Sequence, residues 1–446
     1  MPDNRKTVLL AGGGNRGEGY ARHCLRVNPP ISVGAVADPD PVKRSQIAKL
    51  HRIPESRQYP TWQEFLAREP EYQKHYQGVI IATPDSDHRD AALSFLHGGV
   101  HVLLEKPIAT TPDDLASIQT AWEASIQRGT GSLTVCHVLR HTALFSRIHT
   151  IIQSGILGTL VSLFQSENIT NFHMAHSYVR GNWANSKSSS PIILAKTCHD
   201  LDLMCWFANA RAVSGYCQGT LEFFTSENAP KESPEQCLDG CPHRKTCSYY
   251  APSVYLEGRP IKDALKNYGS PISRILGRFI TPFLYPWKHW PTSTITNKLN
   301  REGILSALST GPYGRCVYRC NNDQPDHIEA VIRFQNNMSG TFRFHGHSAQ
   351  EGRTLRIDGT RATLRAHFGS RSSIEVQPHD GDTPKRYTFS SDLYGHGSAD
   401  KGLIQYFSRV LEGKENPVDL GDPFASHWLA FALEQSRLSG MPFGVQ

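Results

Sequence analysis

The sequence predicts an α/β fold opened by a doubly wound parallel sheet. Three observations carry this. Short apolar runs alternate with segments of helical pattern through the first third of the chain. A glycine-rich turn joins the first run to the first helical segment. The runs end in polar clusters, and in such sheets ligands bind beyond the carboxyl ends of the strands. The chain has 446 residues, of which 39% are hydrophobic and 20% charged. That composition suits a globular protein of two or three domains and excludes a disordered chain or a coiled coil.

The elements follow in order. Residues 8–11 are apolar and long enough for a buried strand. They run into Gly12-Gly13-Gly14-Asn15-Arg16-Gly17, a G-x-G-x-x-G pattern. Residues 18–27 read as a helix, and residues 31–37 as a second strand closed by Asp38. Gly12 allows the tight turn, Gly14 lets the backbone approach a pyrophosphate, and Gly17 permits close helix–strand packing. The helix N-terminus offers free N–H groups and a positive dipole end to the anion. Asp38 lies 21 residues beyond Gly17, where a carboxylate accepts from a ribose hydroxyl. It repels a 2′-phosphate, which favours NAD; the nearby Lys43 and Arg44 keep NADP open.

Residues 78–82 form a further strand, ending in Thr83-Pro84-Asp85-Ser86-Asp87-His88, and residues 89–97 a helix. Residues 100–104 form another strand, ending in Glu105-Lys106-Pro107. Thr111-Pro112-Asp113-Asp114 starts a helix, with a Thr cap, Pro in the first turn and two acids beside it. Further on, Cys198–Ala208 is nearly continuous apolar sequence and reads as a buried helix carrying His199. Residues 326–346 read as strands joined by a hairpin at 335–337, and residues 354–364 as strand, turn at Asp358-Gly359, and strand. A C-terminal helix over Ala425–Ser439 ends at Gly440.

Taken in order, the glycine turn, Asp38, Thr83-Pro84 with His88, Glu105-Lys106-Pro107, Gly155-Ile156-Leu157-Gly158 and His199-Asp200-Leu201-Asp202 resemble one family. It is the glucose–fructose oxidoreductase, inositol dehydrogenase and MocA-like (Gfo/Idh/MocA) family, and the resemblance runs from about residue 6 to 440. It implies a Rossmann domain over residues 1–130. An α/β domain with a large, mostly antiparallel sheet follows over 131–446, with an insertion at about 228–318. It implies cofactor contacts at Gly12, Gly14, Asn15, Arg16, Gly17, Asp38, Thr83, Pro84, His88, Glu105 and Lys106. It places Lys106 beside the nicotinamide and the substrate hydroxyl, and makes His199 the general acid/base. Where the family often has an aspartate, four residues before this histidine, the chain has Ala195. Lys196 or Asp200 would then take over its electrostatic role toward the substrate. The family often assembles through the second domain's sheet, which implies a homo-oligomer.

Residues 168–191 read as a polar loop. His176, Arg180 and Trp183 there suit a polyhydroxylated ring, with aromatic faces against C–H groups and polar tips on hydroxyls. Cys237, Cys241 and Cys247, with Cys320 as fourth ligand, suggest a structural zinc site; reduced or paired thiols are the alternative. The leading function is an NAD(P)-dependent oxidoreductase acting on a secondary hydroxyl of a sugar, sugar derivative or cyclitol. The alternatives are an NAD-dependent glycosidase working by transient ring oxidation, and a non-catalytic NAD-binding regulator. No apolar run approaches the roughly 18 residues of a membrane helix. The polar start and sparse cysteines are read as cytoplasmic. The net charge of +6 matches the six Lys and Arg residues of 264–301, a stretch without acids but rich in aromatics. That pattern fits a flap over the substrate or a subunit contact, not a nucleic-acid surface.

Overall fold

The computed structural model describes residues 5–260, 262, 286–389 and 397–444. Six parallel strands come first: β1 (Thr7–Ala11), β2 (Ser32–Ala37), β3 (Gln58–Tyr59), β4 (Gly78–Ile81), β5 (His101–Leu104) and β6 (Ser132–Val135). Their order is β3-β2-β1-β4-β5-β6. β1 pairs with both β2 and β4, so the strand order reverses beside it. The crevice of a doubly wound sheet opens at such a switch point. β4 and β6 are buried at every residue because both faces of the sheet are covered, which is why these strands read as unbroken apolar runs.

Local chemistry sets the helix ends. The Thr111 hydroxyl accepts from the Asp114 N–H at 3.2 Å, and Gly129 closes the helix Pro112–Arg128 in a left-handed conformation. The first helix, Asn15–Cys24, starts three residues earlier than the sequence pattern suggests, because Gly14 serves as its N-cap.

Nine further strands form the second sheet: β7 (Leu160–Thr170), β8 (Ala212–Gln218), β9 (His327–Phe334), β10 (Ser339–Ser348), β11 (Gly352–Gly359), β12 (Ala362–Phe368), β13 (Ser372–Pro378), β14 (Lys385–Phe389) and β15 (Phe443–Gly444). Their order is β14-β13-β12-β11-β7-β10-β9-β8-β15, antiparallel throughout except for β7 beside β10. β10 alternates exposed and buried residues, so one face packs on the core while the other meets solvent. The turn expected at Asp358-Gly359 comes later, because β11 continues through Gly359 to pair with Leu160. Helices Cys198–Ala208 and Ala425–Ser439 occupy the predicted residues.

The helix Gly397–Leu411 returns to the first sheet. Its Leu403, Ile404, Phe407 and Val410 share one core with Val8, Leu10, Val36, Ile80 and Leu103.

The expected polar loop is different in the structure. After β7 the chain makes two short helical turns, Asn171–Met174 and Ala175–Arg180, and residues 174–180 are buried. The insertion beside it has its own small core of Cys237, Ala251, Val254, Tyr255, Ile304 and Leu308. Within the basic aromatic stretch, Lys266, Arg274, Arg278, Phe279, Phe283 and Tyr285 lie outside the described residues.

Candidate active site

The glycine turn sits at the switch point. Gly12 has φ +94°, and a Cβ there would lie 2.3 Å from the Ala82 carbonyl oxygen. At Gly17 a Cβ would lie 1.9 Å from the Gly12 oxygen. Neither position admits a side chain. Gly14 differs: nothing lies within 4 Å of a Cβ built there, and no side chain caps the helix that starts at Asn15. The first N–H groups of that helix therefore face open space, the arrangement that receives a pyrophosphate.

Asp38 follows β2 and is buried. Its Oδ2 accepts from the Gly13 N–H at 2.7 Å and its Oδ1 from the Asp40 N–H at 2.8 Å. Each oxygen keeps a further lone pair for a ribose hydroxyl. Arg44 Nη1 folds back onto the Asp38 carbonyl oxygen at 2.5 Å, which draws it away from a 2′-phosphate. Thr83 and Pro84 follow β4 at the same edge. The Thr83 hydroxyl is buried with no hydrogen-bond partner among the described residues, as a group awaiting a ligand would be. These features fit a dinucleotide.

Three expected cofactor residues do other work. Arg16 is bound by two carboxylates: Nε donates to Glu105 Oε1 at 2.6 Å, and both Nη atoms donate to Asp400 at 2.9 Å. The Tyr20 hydroxyl joins Arg16 and Glu105. Glu105 is buried, which by itself raises its pKa. The Arg16 and Lys106 cations outweigh that and hold it below the ordinary value. Its Oε2 accepts from the Lys106 N–H at 2.9 Å, so Glu105 fixes a backbone rather than touching cofactor. His88 is fully buried and faces the Pro107 carbonyl oxygen at 2.7 Å and that of Thr83 at 3.1 Å, tying together the loops after β4 and β5.

The loop after β5 is thus held at three successive residues. Glu105 takes the Lys106 N–H, His88 meets the Pro107 carbonyl, and His427 Nε2 accepts from the Ile108 N–H at 2.9 Å. From this fixed base Lys106 reaches the second domain, where Nζ donates to the Ala195 carbonyl oxygen at 2.9 Å. The backbone of the substituted position has become the lysine's partner.

His199 lies in the first turn of Cys198–Ala208 and is buried. Its ring is 6.3 Å from that of His137, which is 5.8 Å from that of His427. The three imidazoles form a row whose last member holds the Lys106 loop. Burial pushes His137 down to about 4 and lowers His427, so both are neutral at pH 7. Neither His137 nor His427 was among the sequence candidates.

The second-domain candidates divide. Asp200 is fully buried and accepts from Gln165 Nε2 at 2.7 Å and Arg353 Nε at 2.8 Å, so it serves an internal ion pair and not a substrate. Lys196 stays one-fifth exposed (21%) with Nζ 3.1 Å from Glu167 Oε1. Glu167, also missed, is buried and pushed up to about 7, because burial outweighs the neighbouring Arg353 and Lys196 cations. His176 is enclosed by the Tyr255 hydroxyl at 2.9 Å and that of Thr294 at 3.2 Å, and it stacks on Tyr313. Arg180 donates to the carbonyl oxygens of Arg315 at 2.7 Å and Tyr249 at 2.8 Å. Both anchor the insertion instead of meeting a sugar. Trp183 remains partly exposed.

The zinc expectation needs correction at its fourth ligand. The Cys320 thiol donates to the Cys316 carbonyl oxygen at 3.3 Å, and Cys316 is the residue that shares a cavity with Cys237, Cys241 and Cys247. Among the described residues, no three His, Cys, Asp or Glu side chains are grouped to hold a metal ion. No described helix is long and apolar enough to cross a membrane.

Residues 6–128 match the model of an oxidoreductase family with an NAD-binding Rossmann fold, Gfo/Idh/MocA. The Bacillus subtilis protein named as an oxidoreductase, YteT, is 25% identical over 232 residues, 51% of this chain and 52% of its own length. An inositol 2-dehydrogenase of Corynebacterium glutamicum is 24% identical over 210 residues, 46% of this chain and 55% of its own. The chain thus spans about half the length of the curated relatives it matches. Among solved structures, a myo-inositol 2-dehydrogenase from Lactobacillus plantarum superposes with a TM-score of 0.61 at 13% identity, covering 99% of this chain and 100% of that one. An oxidoreductase from Agrobacterium radiobacter, in complex with NAD+, L-tartaric acid and magnesium, gives 0.62 at 15%, covering 99% and 98%. With the glycine turn, Asp38 and the Lys106 loop in one crevice and this fold over the whole chain, the protein belongs to the Gfo/Idh/MocA family of oxidoreductases.

Proposed function

We propose that the chain is an NAD-dependent oxidoreductase acting on a secondary hydroxyl of a sugar, sugar derivative or cyclitol. The observation that carries this is the Lys106 loop, held at three successive residues so that its ammonium is delivered to the second domain. Bound NAD supplies the hydride acceptor. The chain's own residues bind, orient and move the proton. Gly14 and the uncapped N–H groups at Asn15 receive the pyrophosphate, Asp38 the adenosine ribose, and the Thr83 hydroxyl a further polar group. Lys106 spends one of three N–H donors on Ala195 and keeps two for the substrate oxygen. Its charge favours the alkoxide as the hydroxyl proton leaves. The His199 ring receives that proton. Lys196, held by Glu167 at the crevice, presents donors to neighbouring hydroxyls. Inositol 2-dehydrogenase relatives support a cyclitol or sugar ring, and Arg44's engagement with the Asp38 backbone supports NAD over NADP.

The test is a panel of cyclitols, sugars and glycosides with NAD and with NADP, reading both NADH absorbance and released sugar. NADH formation that Lys106→Ala abolishes is the expected result. Free sugar released without net NADH would replace this reading by the NAD-dependent glycosidase.

A further inference from the structure

The insertion holds a cluster of thiols that the chemistry above does not use. Cys237, Cys241, Cys247 and Cys316 line one small cavity, walled by Tyr249 and Tyr318. None is in a disulfide. Three come from one loop, and the fourth arrives on a later segment zipped beside it. The Cys237 N–H donates to the Gly314 carbonyl oxygen at 2.8 Å, and the Cys316 N–H to that of Glu235 at 2.8 Å. Backbone pairing therefore fixes the fourth thiol against the other three.

A second observation is independent of the cysteines. Arg180 is buried (3% exposed) and, among the described residues, has no carboxylate partner. A buried cation paired only with neutral carbonyls is costly unless an anion stands nearby. Its remaining contact is Cys237, whose Sγ receives Nη2 at 3.6 Å. The guanidinium is thus aimed at the thiol cavity, and an anionic centre in that cavity would balance it.

The kind of centre follows from the spacing. A zinc ion draws four sulfurs to about 2.3 Å from a single point. Here no three candidate side chains are grouped for one ion, yet four thiols surround one cavity. An iron–sulfur cluster holds its four thiolates farther apart, around a body of iron and sulfide, and is anionic overall. We propose that Cys237, Cys241, Cys247 and Cys316 ligate an iron–sulfur cluster, with Arg180 as its buried counter-charge. Each thiol gives its proton to solvent as its sulfur bonds to iron. Cys320, turned to the Cys316 carbonyl, is outside the ligand set.

The experiment purifies the full chain without oxygen and measures iron, acid-labile sulfide, zinc and visible absorbance. Equal iron and sulfide, at about two or four of each per chain, with a broad visible band, is expected. Cys241→Ser and Cys316→Ser should lose nearly all iron, while Cys320→Ser keeps it. One zinc per chain without iron, or neither metal, overturns the proposal. So does a Cys320→Ser variant that loses as much iron as Cys316→Ser. Should the serine variants fail to fold, the metal and sulfide content of the unaltered chain decides alone.

Discussion

Replacing Asp202 by Asn tests the electrostatics behind the histidine row. Asp202 and Arg140 are both buried, at 2% and 7% side-chain exposure. They form a bidentate pair at 2.7 and 2.6 Å. Arg140 otherwise has the Leu420 carbonyl oxygen at 2.6 Å and the face of Trp206 at 5.3 Å. The amide removes the only full counter-charge and leaves the guanidinium buried. Breaking such a pair from one side costs about 3–5 kcal/mol. At roughly 2 °C per kcal/mol for a domain of this size, Tm should fall by about 6–10 °C. Thermal unfolding of the full chain at pH 7, followed by circular dichroism, measures it. The double variant Asp202→Leu/Arg140→Met, which removes both charges, should regain most of the loss. A single variant within about 1 kcal/mol of the parent, or a double variant no better than the single, would refute the argument.

Three further outcomes follow from the same geometry. Lys106→Ala should lower kcat by about 10²–10⁴-fold while leaving NAD affinity little changed, read by steady-state kinetics and cofactor fluorescence. Asp38→Ser, which removes the charge that repels a 2′-phosphate, should shift the NADP-to-NAD ratio of kcat/KM upward by about tenfold, worth about 1.4 kcal/mol. Stability should fall as pH drops from about 6.5 toward 4. His137 and His176 sit at about 4 and about 3 in the folded chain, so the unfolded chain binds more protons in that window. The loss for His137 alone is on the order of 3 kcal/mol, checked by urea midpoints across pH. Stability that is flat or rising over that window would contradict the burial argument.

The sequence revealed elements whose signals are local. The Thr111 cap, the glycine turn and the Gly440 stop each depend on neighbours within a few residues, and all three stand where expected. Lys106 and His199 come out facing the same crevice. Side chains whose roles depend on distant partners were not legible. Nothing near Arg180 in the chain announces Tyr249 and Arg315, and nothing near His176 announces Tyr255 and Tyr313. Polar, aromatic-rich sequence looks the same whether it faces a sugar or an insertion folded over it. Glu167 was hidden for a related reason: on a half-buried strand an inward carboxylate breaks the alternation without naming Arg353 and Lys196, its counter-ions. The choice of Cys316 over Cys320 turned on a backbone pairing that spacing cannot encode.

The helix Gly397–Leu411 has a consequence for how the chain is made. Its apolar face completes the core under β1, β2 and β4, and its Asp400 holds Arg16. On the ribosome, the cofactor-binding sheet emerges first but lacks one wall until nearly nine-tenths of the protein has been synthesised. Until then Val8, Ile80 and Leu103 have no cover, and the Arg16–Glu105 clamp has only one of its two carboxylates. The first domain in sequence is therefore among the last to be finished. A fragment cut after the family-matched region would carry the nucleotide motif without the wall that seats it.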